Sequence, residues 1–334
     1  MSGAGMSGAG MSGPGRSPTI AEVLAPALAR QPSAPAVVAR SGTLSYAGLD
    51  QAAAAAAGAL WELGVRPGDR VAACLPNDLA IVAAFHGAQR IGAIWTGINE
   101  SAAGQEQQVL ADLARPSVVL AGARCAVRGY RVLDAAAWTR RTAAAAPAPA
   151  VALDPDAPAG IAFTSGTTGV PKGIVHSQRN MLLPGAVLVA TRGWDASLRK
   201  GDCLPLTLLN MMVLSTLLVA QAGGCAVIMD RRDVAGVAEW ISRERVTVWN
   251  GVPAQLHDLA RRPEPGLDGL RGAGAGDLRP DRGADGSGDR PARRAHPARG
   301  ERPGAAAPGR RRLFRRWPAA AGGIGRGAVH RARR

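Results

Sequence analysis

The feature that most constrains this chain is a repeated alternation, running from Thr19 to about Gly272, between short apolar runs and longer segments with helical apolar spacing. "IAEVLAPALARQ" and "YAGLDQAAAAAAGALWELG" read as helices, and Gly64 closes the second before the turn "RPGD". "RVAACLP" then reads as a buried strand, followed by helix "LAIVAAFHGAQRIG", strand "AIWTGI", helix "AGQEQQVLADLAR" and strand "SVVLAG". Apolar strands separated by helices pair in parallel and must be covered on both faces. The expected fold class is therefore α/β, with parallel buried sheets flanked by helices.

Both ends of the sequence break this pattern. "MSGAGMSGAGMSGPG" repeats a Gly/Ser pentad and lacks the basic segment and apolar core of an export signal, so residues 1–18 are expected to be a disordered tail. The formal charge of +15 invites a nucleic-acid reading until it is located: residues 271–334 hold 17 arginines against 5 acidic residues, and the remainder is nearly neutral. Lysine occurs only at Lys172 and Lys200, so 38 of the 40 basic residues are arginine, as in a very GC-rich coding sequence. Most arginines then need no special function. Residues 19–272 are assigned to the folded α/β part and 273–334 to a second disordered tail.

The most apolar stretch, "CLPLTLLNMMVLSTLLVAQAGGCAVIM", is interrupted by Pro205, several polar residues and the Gly223-Gly224 break. It reads as a buried helix and a strand, with no membrane span. Cys74, Cys125, Cys203 and Cys225 are far apart and lack metal-ligand or disulfide-framework spacing, so no metal site is assigned and a reducing cytoplasm fits.

After the Ala/Pro linker "TAAAAPAPAVALDPDAPAG", strand "IAFTS" runs into the loop of "AFTSGTTGVPKGIVHS", and helix "QRNMLLPGAVLVATRGW" follows. Consecutive glycines and small hydroxyl residues let backbone N–H groups converge on an anion, while a lysine adds a point charge. A Walker A loop requires lysine directly after its last glycine, whereas Val170 and Pro171 separate Gly169 from Lys172. The alternative is a flexible surface turn, which the order of Thr, Gly, Pro and Lys after a strand disfavours.

This loop resembles the signature of the AMP-forming adenylating enzymes, the superfamily of acyl-CoA and aryl-CoA synthetases, luciferases and peptide-synthetase adenylation domains. "LGVRPGDRVAACLPN" at 63–77, "GAQRIGAIWTGIN" at 87–99 and "VTVWNGVPAQLHDLAR" at 246–261 are similar to further family segments. The stand-alone ligase branch fits best. The resemblance, over roughly 20–272, implies an incomplete large domain of an adenylating enzyme. It implies that Thr164, Ser165, Gly166, Thr167, Thr168, Gly169 and Lys172 surround the ATP phosphates, with Lys172 also the catalytic candidate. It further implies activation of a carboxylic acid as its adenylate and transfer to coenzyme A, with ATP, Mg²⁺ and CoA as cofactors. Leu208, Asn210, Met211, Trp249 and Gly251 fall where the family borders its acyl pocket.

The sequence departs from the family at "LPLTLLNMM", where Thr207 and Leu208 replace the usual Phe-His. His86, His176 and His257 are read as ordinary helix or loop residues. Past Gly272 the Tyr-Gly-x-Thr-Glu segment, the ribose-binding Asp and the carboxyl-terminal lysine are not found, and Gly, Ala, Pro and Arg make up 50 of the 64 residues of 271–334. Two explanations remain open. One is a basic tail for nucleic acid or an anionic surface, since "PGRRRLFRRWP" interleaves arginines with aromatics. The other, preferred because the pattern is lost in mid-domain, is a gene read out of frame after about codon 272, which leaves no specific nucleic-acid partner. A truncated ligase, weak or inactive, is expected, with a non-catalytic nucleotide-binding fragment as the alternative.

Overall fold

The computed structural model describes residues 18–164, 171–261 and 271–272. Residues 1–17, the loop residues 165–170, and residues 262–270 and 273–334 lie outside them. A 3-10 turn at Ile20–Glu22 leads into α1 (Ala25–Arg30), and then β1 (Pro35–Ala39) and β2 (Gly42–Ser45) form an antiparallel hairpin. α2 (Tyr46–Glu62) starts where the Ser45 hydroxyl accepts from the Gly48 N–H at 3.0 Å. It stops before Gly64, whose φ of +88° costs a glycine little.

The regular βαβ succession follows: β3 (Arg70–Cys74), α3 (Leu79–Arg90), β4 (Ile94–Gly97), α4 (Gly104–Ala114), β5 (Val118–Ala121), β6 (Val132–Asp134), α5 (Ala135–Ala144) and β7 (Pro158–Thr164). β8 (Lys172–Ser177) then turns back on β7, and α6 (Gln178–Arg192) begins at Ser177, whose hydroxyl accepts from the Asn180 N–H at 3.2 Å. β9 (Arg199–Asp202) precedes a helical run of α7 (Leu209–Met212), a π-helical segment (Val213–Leu217) and α8 (Leu218–Ala222). The chain continues through β10 (Cys225–Ile228), α9 (Val234–Arg243), β11 (Val248–Asn250), α10 (Pro253–Arg261) and β12 (Arg271–Gly272).

Two six-stranded sheets result, ordered β12-β11-β9-β10-β1-β2 and β6-β5-β3-β4-β7-β8. All pairings are parallel except one hairpin at an edge of each, β1/β2 and β7/β8. The α/β expectation holds, with these two antiparallel edges as additions to it. Helix α3 lies against strands of both sheets, α2 packs on α3 and on β1 and β2, and they share one core built around Tyr46, Leu60, Phe85, Trp95 and Leu120. The apolar stretch at 203–229 is a buried helix and strand as expected, divided at Gly223, whose φ is +78°. Among the described residues no helix is long and apolar enough to cross a membrane.

The sheets meet at the carboxyl ends of their strands. A Cβ on Gly97, the last residue of β4, would sit 1.8 Å from the carbonyl oxygen of Thr207 in the segment between β9 and α7. Only glycine lets the two backbones approach so closely. This juxtaposition places the carboxyl end of one sheet against the loops of the other.

Candidate functional site

The glycine-rich loop connects the two strands of an antiparallel hairpin. Thr164 and Lys172 are register partners at its mouth, and the Thr164 hydroxyl donates to the Lys172 carbonyl at 3.5 Å. Both side chains are exposed. The sequence anticipated a strand leading through a loop directly into a helix; the structure inserts β8, so the loop is held at both ends by backbone pairing. Ser165, Gly166, Thr167, Thr168 and Gly169 lie outside the described residues, so of the phosphate-binding candidates Thr164 and Lys172 have a described position. The loop emerges at the carboxyl end of a parallel sheet, where open α/β sheets place their ligands.

The base of the hairpin is anchored by a buried relay of amides. Gln178 accepts from the Ile20 N–H at 2.9 Å and donates to Gln89 at 3.2 Å, and Gln89 donates to the Ala159 carbonyl at 2.9 Å. Both glutamines are essentially inaccessible to solvent. Three helical elements and β7 are thereby tied together below the loop.

A cavity of about 90 Å³ opens where the sheets meet, lined by Asn77, Asn99, Glu100, Thr207, Asp230 and Arg232 among others. The β9–α7 segment forming one wall is fixed by Asn77, which donates to the Leu204 carbonyl and accepts from the Leu206 N–H, each at 2.8 Å. Thr207 is buried, and its hydroxyl has no protein partner among the described residues. A buried hydroxyl left without a partner carries a desolvation cost of about 1–3 kcal/mol unless something else supplies the bond. Neither Asn77 nor Thr207 had a sequence signal for this role beyond Thr207 standing where an aromatic was expected.

Below that segment, β9 carries a buried ion pair. Lys200 is 1% exposed and Asp202 is fully buried; Nζ lies 2.5 Å from Oδ2, which also accepts from the Ser215 hydroxyl at 2.6 Å. Ser215 belongs to the π-helical segment, so the pair ties β9 to the helix that follows it. The retention of lysine at just two positions in an arginine-rich chain was the available signal for this pair.

The acyl-pocket candidates divide into two groups. Leu208 and Asn210 are exposed around the start of α7 and Met211 is buried there; Trp249 ends buried in β11, with its ring against Gly251. None of the five lines the cavity of 90 Å³. Of the histidines, His86 is buried edge-on to Phe85, its pKa lowered to about 3 by burial and then by the Arg90 charge. His176 is half-buried in β8, and His257 lies 3.6 Å from Asp258 on α10, both of them exposed. Among the described residues no three His, Cys, Asp or Glu side chains gather as a metal site would require.

A family model described as AMP-binding enzyme matches residues 24–285. The long-chain-fatty-acid–CoA ligase FadD13 of Mycobacterium tuberculosis is 31% identical over 237 residues, covering 66% of this chain and 46% of the ligase. Phenyloxazoline synthase MbtB of the same organism is 34% identical over 266 residues, covering 75% of this chain and 18% of the synthase. Among solved structures, the inhibitor-bound N-terminal domain of FACL13 from M. tuberculosis aligns with a TM-score of 0.71 at 27% identity, over 77% of this chain and 70% of that one. This chain therefore spans less than half the length of these curated relatives. The family match extends over most of the sequence and contains the hairpin, the cavity and both sheets: the chain belongs to the AMP-binding enzyme family.

Proposed function

We propose that this chain carries the phosphate-gripping part of an AMP-forming carboxylic acid–CoA ligase, which activates a carboxylate as its acyl-adenylate with ATP and passes the acyl group to coenzyme A. The observation that supports it is the hairpin: a Gly/Thr loop at the carboxyl end of a parallel sheet, with Thr164 and Lys172 paired and exposed at its mouth. Lys172 supplies a charge-assisted contact to a phosphate oxygen, Thr164 a hydroxyl, and Ser165 to Gly169 the backbone and hydroxyl donors. ATP supplies the adenylyl group, CoA the accepting thiol and Mg²⁺ charge neutralisation. Since no cluster of acidic and His ligands gathers among the described residues, the ion fits best as a companion of the nucleotide phosphates. Leu208, Asn210 and Met211 from one side and Trp249 and Gly251 from the other are proposed to border the acyl group.

Residues 273–334 carry none of the family's adenine, ribose or carboxyl-terminal lysine segments. These 334 residues by themselves are therefore proposed to bind polyphosphate yet to catalyse slowly or not at all, because preorganised contacts to the reacting centre dominate such chemistry. Carboxylate-dependent exchange of labelled pyrophosphate into ATP tests both halves. The expected result is exchange close to background with triphosphate binding retained. Robust exchange contradicts the claim of weak catalysis, and loss of triphosphate binding contradicts the ligase reading of the loop.

A further inference from the structure

Cys74 and Cys125 are remote in sequence and adjacent in the fold. Cys74 ends β3, and its register partner across the parallel pair is Ala121, the last residue of β5. There the chain folds back: the Gly122 N–H donates to the Cys74 carbonyl at 2.7 Å, and the Cys125 N–H donates to the Gly122 carbonyl at 3.1 Å. This turn returns Cys125 to the apolar cluster that Cys74 shares with Ile98, Leu110, Val119 and Val127. Burial, and after it the charge and hydrogen bonding of Cys125, push the Cys74 thiol up from its ordinary range. Their exposure differs, since Cys74 is fully buried and Cys125 is partly open to solvent.

We infer that Cys74 and Cys125 form an oxidisable thiol pair, joined reversibly as a disulfide by a small disulfide oxidant such as glutathione disulfide. The accessible thiol reacts first. The Cys125 thiolate attacks one sulfur of the oxidant, releasing one glutathione thiolate that takes up a proton and leaving glutathione attached to Cys125. Cys74 then loses its proton and displaces the second glutathione, closing the Cys74–Cys125 bond. Two thiols of the protein are oxidised, one disulfide of the oxidant is reduced to two thiols, and the protons balance. Cys203 and Cys225 are both buried, at 1% and 4% exposure, so neither offers an accessible first sulfur.

The pair is coupled to the cavity wall through Gln107, itself 1% exposed. Its carbonyl oxygen accepts from the Cys74 thiol at 3.7 Å and from the Ala126 N–H at 2.8 Å, while its amide donates to the carbonyls of Glu100, Ala102 and Arg124. Closing the disulfide removes the Cys74 donor from this hub and ties the 122–126 turn to β3, next to the segment that brings Asn99 and Glu100 to the cavity.

The test uses the folded 334-residue chain in glutathione buffers stepped from reduced to oxidised, followed by alkylation and tryptic digestion without reductant. The expected product joins peptide 71–90 to the tetrapeptide 125–128, about 2 Da below the sum of the two free peptides, and is reversed by dithiothreitol. Peptide 201–231, which holds Cys203 and Cys225, should stay doubly alkylated and serves as the internal reference. In Cys74→Ala the Cys125–glutathione adduct should accumulate, and Cys125→Ser, at the half-exposed position, should abolish the linked peptide. A linked peptide that forms only in denaturant, or a parent chain in which Cys125 stops at the glutathione adduct, overturns the inference.

Discussion

In the sheet that carries the glycine-rich hairpin, all six strands come from residues 70–177, whereas the other sheet pairs β1 and β2, from residues 35–45, with strands drawn from 199–272. The first is local and apolar, and its outer strand β8 leaves Ile174 and Val175 exposed, 47% and 56% respectively. The second is assembled across the chain and has an ion pair at its centre, in β9 between β10 and β11. Lysine marks the difference: Lys172 stands in water beside the loop, and Lys200 is sealed against Asp202. Of the two sheets, one leaves its lysine exposed to solvent and the other pairs it within its own interior.

The largest effect expected from this contrast is at Lys200. Lys200→Ala leaves the Asp202 carboxylate buried with Ser215 as its remaining side-chain partner, and should cost about 3–5 kcal/mol of stability. Urea unfolding measures it, and replacing both partners together, Lys200→Met with Asp202→Leu, should recover most of the loss. A loss below about 1 kcal/mol in the single variant would show that the sheet does not depend on the pair.

A smaller effect belongs to the helical layer that both sheets share. His86 has a folded pKa of about 3 against an ordinary 6.5, so the unfolded chain takes up the proton first as the pH falls. Its contribution is flat above about pH 6.5 and becomes destabilising from there toward pH 3. Between pH 7 and 5.5 the loss should be about 1 kcal/mol, and His86→Leu should remove that slope. An unchanged slope in the variant would place the titration elsewhere.

How much of this was legible follows the same division. β3, β4 and β5 were readable because each is apolar on both faces, as a strand covered by helices must be. β9 was not, because Arg-Lys-Gly-Asp has no strand signature until Asp202 neutralises Lys200 two residues away on the same face. β8 escaped notice for the opposite reason: an edge strand with little burial carries no clear alternation. The β1/β2 hairpin, β6 and α5 were likewise not assigned from sequence. The loop was recognisable because its Gly, Thr and Lys pattern is carried by consecutive residues. The Asn77 brace on 204–206 and the Cys74–Cys125 pair exist only through long-range contacts, so spacing could not reveal them. The expected tails, 1–18 and 273–334, fall almost wholly outside the described residues.

The smallest effect on stability and the most direct test coincide at Lys172. Its exposed side chain predicts that Lys172→Ala changes unfolding free energy by less than about 0.5 kcal/mol. Titration calorimetry with inorganic triphosphate, in parent and variant, measures what the loop is for. Loss of the charge-assisted contact should weaken binding by about 1.5–3 kcal/mol, or about one to two decades in Kd. A second variant in which the arginines at 310–312, 315 and 316 are replaced separates the loop from diffuse attraction to the basic tail, and should bind triphosphate as the parent does. Equal affinity in the parent and the Lys172 variant, or affinity lost with the tail arginines alone, would contradict the assignment of the hairpin loop as a phosphate site.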